Sequence, residues 1–328
     1  MIIDAHAHII AAEMMSSAVP ADWRPAVTRQ DGRPVVGFRG QQISSAVGEF
    51  TDVDAMLAEA APGGVEHLLL SPWINLIPVD APPGEARTVC QVQNDALASI
   101  TAARPGQVSA VGAVPLQDPG RAAQLITELV TIPGLCGAEI PSSVAGRYLG
   151  DDYFLPFWEA AEAAGALVFI HPSTRGFGLP ALGGYYLWNS VGNPLETAVT
   201  AAHIAVAGVL ERYPRLRILL AHGGGALPVV RGRLRQAFAV RAEARARAEA
   251  GPDQSLRRFY YDTVTHDQDL LADLVRYAGA EHVLLGSDRP FDMGTDHPVE
   301  EVRALRLGAG EELVLGGNAA RLLGMAGS

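Results

Sequence analysis

The chain contains no lysine; all 25 of its basic side chains are arginines. That absence excludes a Schiff-base amine, the lysine of a phosphate-binding loop and a lysine-derived ligand bridging two metal ions. A metal site in this sequence is therefore most simply mononuclear. Cysteine is scarce too. Cys90 and Cys136 lie far apart with no CxxC spacing, so they are expected as reduced core thiols in a cytoplasmic protein. No apolar run approaches the 18 or so residues that a membrane-spanning helix needs. A secretory signal is not expected, because an acid and histidines stand where a basic leader region would be. Basic charge is also short: 25 basic against 36 acidic residues leave a net charge of −11, which argues against a nucleic-acid partner. What is present, 328 residues with 48% hydrophobic side chains, suits a single soluble domain. The length fits one (β/α)8 barrel of roughly 250 residues plus insertions.

The chain opens Ile2-Ile3-Asp4-Ala5-His6-Ala7-His8-Ile9-Ile10. In an extended strand alternate side chains share a face, so His6 and His8 point the same way and Asp4 joins them. Two such imidazoles make half of a metal site, although a His-x-His pair alone is equally compatible with two ordinary histidines. Three later segments repeat one form, an apolar run ending on a metal-competent side chain. Ala166–Ile170 runs into His171, Leu216–Ala221 into His222, and His282–Ser287 into Asp288. Runs of this kind read as parallel strands buried on both faces. In a barrel of such strands the functional groups sit at the carboxyl ends. His6, His8, His171, His222 and Asp288 are thus expected to converge on one face of one barrel.

The remaining pattern alternates strand and helix. Residues 11–50, rich in proline and glycine without a sustained period, read as a long loop inserted after strand 1. A helix starting near Thr51-Asp52 stops at Pro62-Gly63-Gly64. Strands follow at 66–71, 107–115 and 134–140, and helices at about 86–103, 118–131 and 152–164. A glycine-rich loop, Ser173 to Pro194, carries Arg175, Tyr185, Tyr186 and Trp188. Helices are expected at about 195–213 and 226–250, then a strand at 258–263, a helix at 267–277, the Asp288 strand and two C-terminal helices. Eight strands in one domain, 1–328, with no internal repeat, define the expected α/β (β/α)8 architecture. His67, His203, His266, His282 and His297 read as core, loop or cap residues. Asp262, ending strand 7, reads equally as a pocket residue or a structural acceptor.

The segments Ile3–Ile9, Phe169-Ile170-His171-Pro172, Gly192–Thr197, Gly208–Pro214, Ala221–Pro228 and Gly286–Phe291 carry a resemblance. The chain resembles the amidohydrolase superfamily, in its branch of metal-dependent decarboxylases of the α-amino-β-carboxymuconate-ε-semialdehyde type. The stretch Ala221-His222-Gly223-Gly224-Gly225-Ala226-Leu227-Pro228 is its specific mark. The resemblance implies one zinc ion, with manganese the less favoured metal, held by His6, His8, His171 and Asp288. Three imidazoles and a carboxylate suit zinc on chemical grounds, and a catalytic zinc lowers the pKa of bound water towards ~7. His222 corresponds to the family's proton-moving histidine, with a fifth-ligand role as the alternative; Asp288 shares the catalytic work.

Arg233 matches an arginine that the family projects into a neighbouring subunit's site, which implies a homodimer. The alternative is a solvated arginine-rich helix face balanced by Glu243 and Glu249. Arg39 is the candidate for a second carboxylate-binding arginine, with Arg24, Arg29 and Arg33 as alternatives, and Phe291 is placed at the substrate. The family's semialdehyde decarboxylases carry a tryptophan where this chain has Ser173, so Arg175, Tyr185 and Trp188 either read a different acid or simply pack the loop. The function implied is non-oxidative decarboxylation of a small unsaturated or aromatic carboxylic acid. Metal-bound hydroxide and His222 would manage the proton. A hydrolase or hydratase on the same site is the alternative, since fold and metal do not fix the reaction. A non-catalytic barrel would be expected to carry a broken ligand set.

Overall fold

Eight parallel strands wrap into a barrel in the computed structural model of the chain, which describes residues 1–43 and 49–325. They are β1 (Ile3–Ile9), β2 (His67–Pro72), β3 (Val108–Ala113), β4 (Leu135–Pro141), β5 (Leu167–His171), β6 (Arg217–Leu220), β7 (Tyr260–Asp262) and β8 (Val283–Leu284). Each pairs with the next in chain order. Past Leu284 the chain continues beside β1 and closes the circle. The Ala5 N–H donates to the Leu285 carbonyl, the Asp288 N–H to the His6 carbonyl and the His8 N–H to the Arg289 carbonyl, each at 2.8 Å. This seam sets β1 and the Asp288 segment side by side. Asp4 is buried but does not join the two histidines. Its carboxylate accepts the N–H and hydroxyl of Ser287 and lies 3.4 Å from the Arg289 Nε, fastening the seam.

The helices follow from local signals. α1 (Val53–Ala60) starts where expected, because the Asp52 carboxylate accepts the N–H groups of Asp54 and Ala55. α2 (Pro83–Ala103), α3 (Pro119–Leu129) and α4 (Leu155–Ala164) cover the next strands. α5 (Asn193–Val206) ends earlier than its apolar pattern suggests, with Gly208 separating it from a single turn at Val209–Arg212. α6 (Leu227–Val240) also stops short of the expected residue 250. There the Arg245 guanidinium donates to the carbonyls of Phe238 and Ala239, satisfying the last turn and stopping the helix. α7 (Gln268–Ala278) buries Leu271, Leu274, Val275 and Ala278, the 3, 4 and 7 spacing of one helical face. Each large side chain so buried contributes roughly 1.5–3 kcal/mol. Among the described residues no helix is long and apolar enough to cross a membrane.

The segment read as a long loop is structured. Ala26–Gln30, Arg33–Phe38 and Gln41–Ile43 form a three-stranded antiparallel sheet. Asp31-Gly32 and Arg39-Gly40 supply its two-residue turns, all four residues having positive φ between 48° and 79°. That is the conformation such hairpins need, and Asp-Gly is among its strongest sequence signals. The sheet docks through Phe38 onto Trp23 and Trp73, with ring centroids 5.9 and 5.8 Å apart.

Candidate metal centre and its cavity

His6 and His8 lie on β1, His171 ends β5, and Asp288 follows β8, so four separate chain positions reach the carboxyl end of the barrel. One ligand atom from each lies within 4.8 Å of the others, and all four residues are buried. The His6 and His8 Nε2 atoms are 3.0 Å apart and lie 3.3 and 3.2 Å from Asp288 Oδ1. Every Nδ1 is engaged elsewhere. His6 Nδ1 donates to Asp262 Oδ2 at 2.6 Å, and His171 Nδ1 to the Pro172 carbonyl at 3.0 Å. His8 Nδ1 faces the Ser71 hydroxyl at 3.0 Å. Imidazoles held at Nδ1 present Nε2 as a lone pair, the form a metal binds. His171 Nε2 and Asp288 Oδ1 are buried without hydrogen-bond partners. Three converging lone pairs and a carboxylate do not satisfy one another, and they fit a divalent cation.

The electrostatics agree. Burial works to lower the His6 imidazole, yet Asp288 and Asp262 outweigh it and raise His6 to about 10. Burial and the neighbouring imidazoles of His8, His222 and His6 hold His171 well below its ordinary value. Burial would raise Asp288, but the close imidazoles of His6, His222 and His8 keep it well below the usual carboxylate range. The cluster thus favours positive charge between two carboxylates, which suits a divalent cation.

His222 sits in the turn after β6 with φ 58°. Its Nε2 is 3.3 Å from Asp288 Oδ2, beside the four ligands but outside their set. Its Nδ1 is buried without a partner. Asp262, left between two readings in the sequence, resolves as a hub. Besides His6, its carboxylate accepts the N–H groups of His222 at 2.8 Å, Gly223 at 2.7 Å and Val264 at 3.1 Å. One buried side chain therefore orients a candidate metal ligand and the candidate proton carrier together. The signal was available, since Asp262 also ends an apolar strand.

The cluster opens into a cavity of about 710 Å³. Phe291 lines it and meets the His8 ring edge-on at 5.3 Å. Arg175, Tyr186 and Trp188 line it too, whereas Tyr185 is 98% exposed. His266, read as a loop histidine, reaches the cavity wall while its Nε2 donates to the Met293 carbonyl at 2.7 Å. Arg39 does not line the cavity. The left-handed turn before Gly40 sends its guanidinium over the Trp23 ring at 3.8 Å and to Asp80 at 2.7 Å. Of the alternatives, Arg24 donates to the Val19 and Ser17 carbonyls and Arg29 pairs with Glu49. Arg233 is exposed on α6 and is not among the residues lining the cavity. His67 and His203 are structural: the first bridges the Gly106 carbonyl and Ser109, and the second stacks on Tyr148.

Comparison with known proteins extends this picture. The amidohydrolase family model matches residues 3–325. The 2-amino-3-carboxymuconate-6-semialdehyde decarboxylase of Dictyostelium discoideum is 31% identical over 84% of this chain and 77% of its own length. The γ-resorcylate decarboxylase of Rhizobium radiobacter is 28% identical, covering 79% and 83%. The fold matches that of 5-carboxyvanillate decarboxylase from Sphingomonas paucimobilis with a TM-score of 0.82 at 24% identity, over 98% of both chains. It also matches a dihydroxybenzoic acid decarboxylase from Polaromonas, solved with bound manganese, with a TM-score of 0.80 at 23% identity over 100% and 98% of the chains. The chain belongs to the amidohydrolase family, in its branch of metal-dependent decarboxylases.

Proposed function

We propose that this chain, acting as one domain over residues 1–328, is a cytoplasmic zinc-dependent non-oxidative decarboxylase of a small unsaturated or aromatic carboxylic acid. The observation that carries the reading is His222. It stands beside Asp288, outside the ligand set, at the floor of a cavity walled by Trp73, Trp188 and Phe291. Flat apolar side chains suit a conjugated substrate, and a metal ligand set at one end supplies polarity. His6, His8, His171 and Asp288 would hold the metal, which supplies Lewis-acid polarisation when bound. Zinc is the metal of choice because the donors are three imidazoles and one carboxylate.

The chain's own residues account for the proton. Decarboxylation breaks one carbon–carbon bond, releases CO2 and puts a proton on the carbon that loses it. His222 delivers that proton. Its imidazole is oriented by Asp262 through the backbone N–H and by Asp288 through Nε2. Phe291 beside His8 covers the ligand cluster and limits water there.

A homodimer is part of the proposal. Neighbouring arginines on and after α6 are neutralised within the chain, Arg231 by Asp273, Arg235 by Asp253 and Arg241 by Glu243. Arg233 has no such partner among the described residues. Val229, one turn earlier, is 72% exposed and lines the cavity mouth. An unpaired guanidinium on that face suits a neighbour's site.

The test is a screen of zinc-loaded protein against unsaturated and aromatic acids in deuterated water. Loss of ultraviolet absorbance with CO2 release and one deuteron at the vacated carbon is expected. Turnover with water added and no CO2 would replace the decarboxylase by a hydrolase or hydratase. About one zinc per chain is expected by elemental analysis; a reproducible two would overturn the mononuclear site.

A further inference from the structure

The loop after β5 places one charge in the cavity wall that the proton chemistry does not use. Arg175 is the only arginine among the residues lining the cavity, in company with His171, His222 and Asp288. It is half-buried, and its guanidinium rests over the Trp188 ring at 4.5 Å. Among the described residues no carboxylate lies within ion-pair distance of it. Most surface arginines of this chain have such a partner, as Arg39, Arg104, Arg231 and Arg235 do. Burial lowers Arg175 from its ordinary value, with Tyr186 opposing the shift.

The buried carboxylate that holds this loop is already engaged. Glu196, buried at the start of α5, accepts the N–H groups of Ser173, Thr174 and Gly176 at 2.8–2.9 Å and the hydroxyl of Ser142 at 3.0 Å. Those donors fix the loop while consuming the Glu196 charge. The backbone of Arg175 is itself held left-handed at φ 53°. Such strain in a non-glycine residue persists where surroundings over-determine it, often at ligand clamps. The result is a rigid loop presenting an unneutralised, planar, bidentate donor to the cavity.

We propose that Arg175 is the specificity-determining residue of this cavity: it binds an anionic group that the substrate keeps through the reaction, so the enzyme selects acids carrying a second carboxylate. The inference rests on the decarboxylase reading for the word substrate. The carboxylate that leaves must become neutral CO2. A guanidinium clamped on it would stabilise the ground state more than the transition state. A retained carboxylate carries no such penalty, and its binding energy can position the reacting bond.

The test compares two probes, isophthalate and benzoate, titrated calorimetrically into zinc-loaded wild type, Arg175→Gln and Arg175→Lys. Wild type is expected to bind isophthalate at least tenfold more tightly than benzoate. Arg175→Gln should weaken isophthalate about 10- to 100-fold, the range for a charge-assisted bidentate contact, and change benzoate less than about threefold. Arg175→Lys, which keeps charge without the fork, should recover part of the loss. Equal weakening of both probes, or no preference in wild type, overturns the proposal. Thermal melting of each variant guards against misfolding, and the lysine variant supplies the reading if the glutamine variant is unstable. Discrimination between the probes without CO2 release from any acid would instead overturn the decarboxylase reading and leave the anion site standing.

Discussion

Asp262 shows how much of the site depends on a residue that touches neither substrate nor metal. It ties His6 Nδ1 and the His222 backbone to one carboxylate, so its removal disturbs both candidate roles. Asp262→Asn is expected to weaken zinc binding by about 10- to 100-fold, the usual cost of losing such an orienting partner, measured by competition with a chromophoric chelator. His222→Ala should keep zinc and lose turnover, whereas His171→Ala should lose zinc. Metal retained by His171→Ala and lost by His222→Ala would exchange the two roles. The four ligands were legible in the sequence because each ends or lies on an apolar run, and strand ends share a barrel face. Arg39 was not legible in the same way. Spacing places a residue in a loop, but the left-handed turn at Arg39-Gly40 decides which way its side chain leaves.

Secondary-structure elements were read best where period and cap agreed, as in α1 with its Asp52 cap and α7 with its single apolar face. They were read worst where glycine and proline signalled breaks without saying what lay between, as in the 26–43 sheet. The turn after β6 makes the stakes plain. Gly225 has φ 61° and ψ −129°, and a Cβ there would lie 2.2 Å from the Pro194 carbonyl oxygen. Gly225→Ala must push α5 away from the His222 turn. It is expected to cost at least 2 to 3 kcal/mol by order of magnitude, read as a fall in Tm at ~2–4 °C per kcal/mol. Gly32→Ala, at φ 79° with nothing within 4 Å, should cost only about 1 kcal/mol. Equal losses would mean that contact at Gly225 is unimportant. Cys90 on α2 and Cys136 on β4 provide a pH-dependent check. Burial raises both thiols, Cys136 up to about 12. Thiolate is then rare at pH 8, and reaction with a disulfide reagent should be slower by roughly three orders of magnitude than for a thiol of pKa ~8.5. Both should react promptly in denaturant. The sign for stability follows: folding keeps these thiols protonated, so their contribution is complete below about pH 9 and falls as pH rises towards 12.

At the scale of the whole molecule, the barrel was legible because eight apolar runs alternate with helical segments, and its closure could only be inferred. The seam that joins Asp288 to β1 uses the backbone of His6 and His8, so closing the barrel and assembling the ligand set are one event. Assembly beyond one chain is the remaining step. Charge pairing singles out Arg233, since Arg231 and Arg235 on the same helix find acids in their own chain and, among the described residues, it does not. If Arg233 completes a partner's site, neither Arg233→Ala nor His222→Ala alone should turn over substrate at more than about 1% of the wild-type rate, an order-of-magnitude expectation for losing a bidentate anchor or a proton carrier. Mixing the two should restore activity. Each hybrid dimer then has one site with both defects and one with neither, so full exchange recovers about one quarter of wild-type activity by the statistics of a two-fold dimer. Sizing alone does not test this, because any surface can form a dimer. Absence of recovery, with subunit exchange shown by differently tagged chains, would mean that Arg233 acts within its own chain or simply faces water.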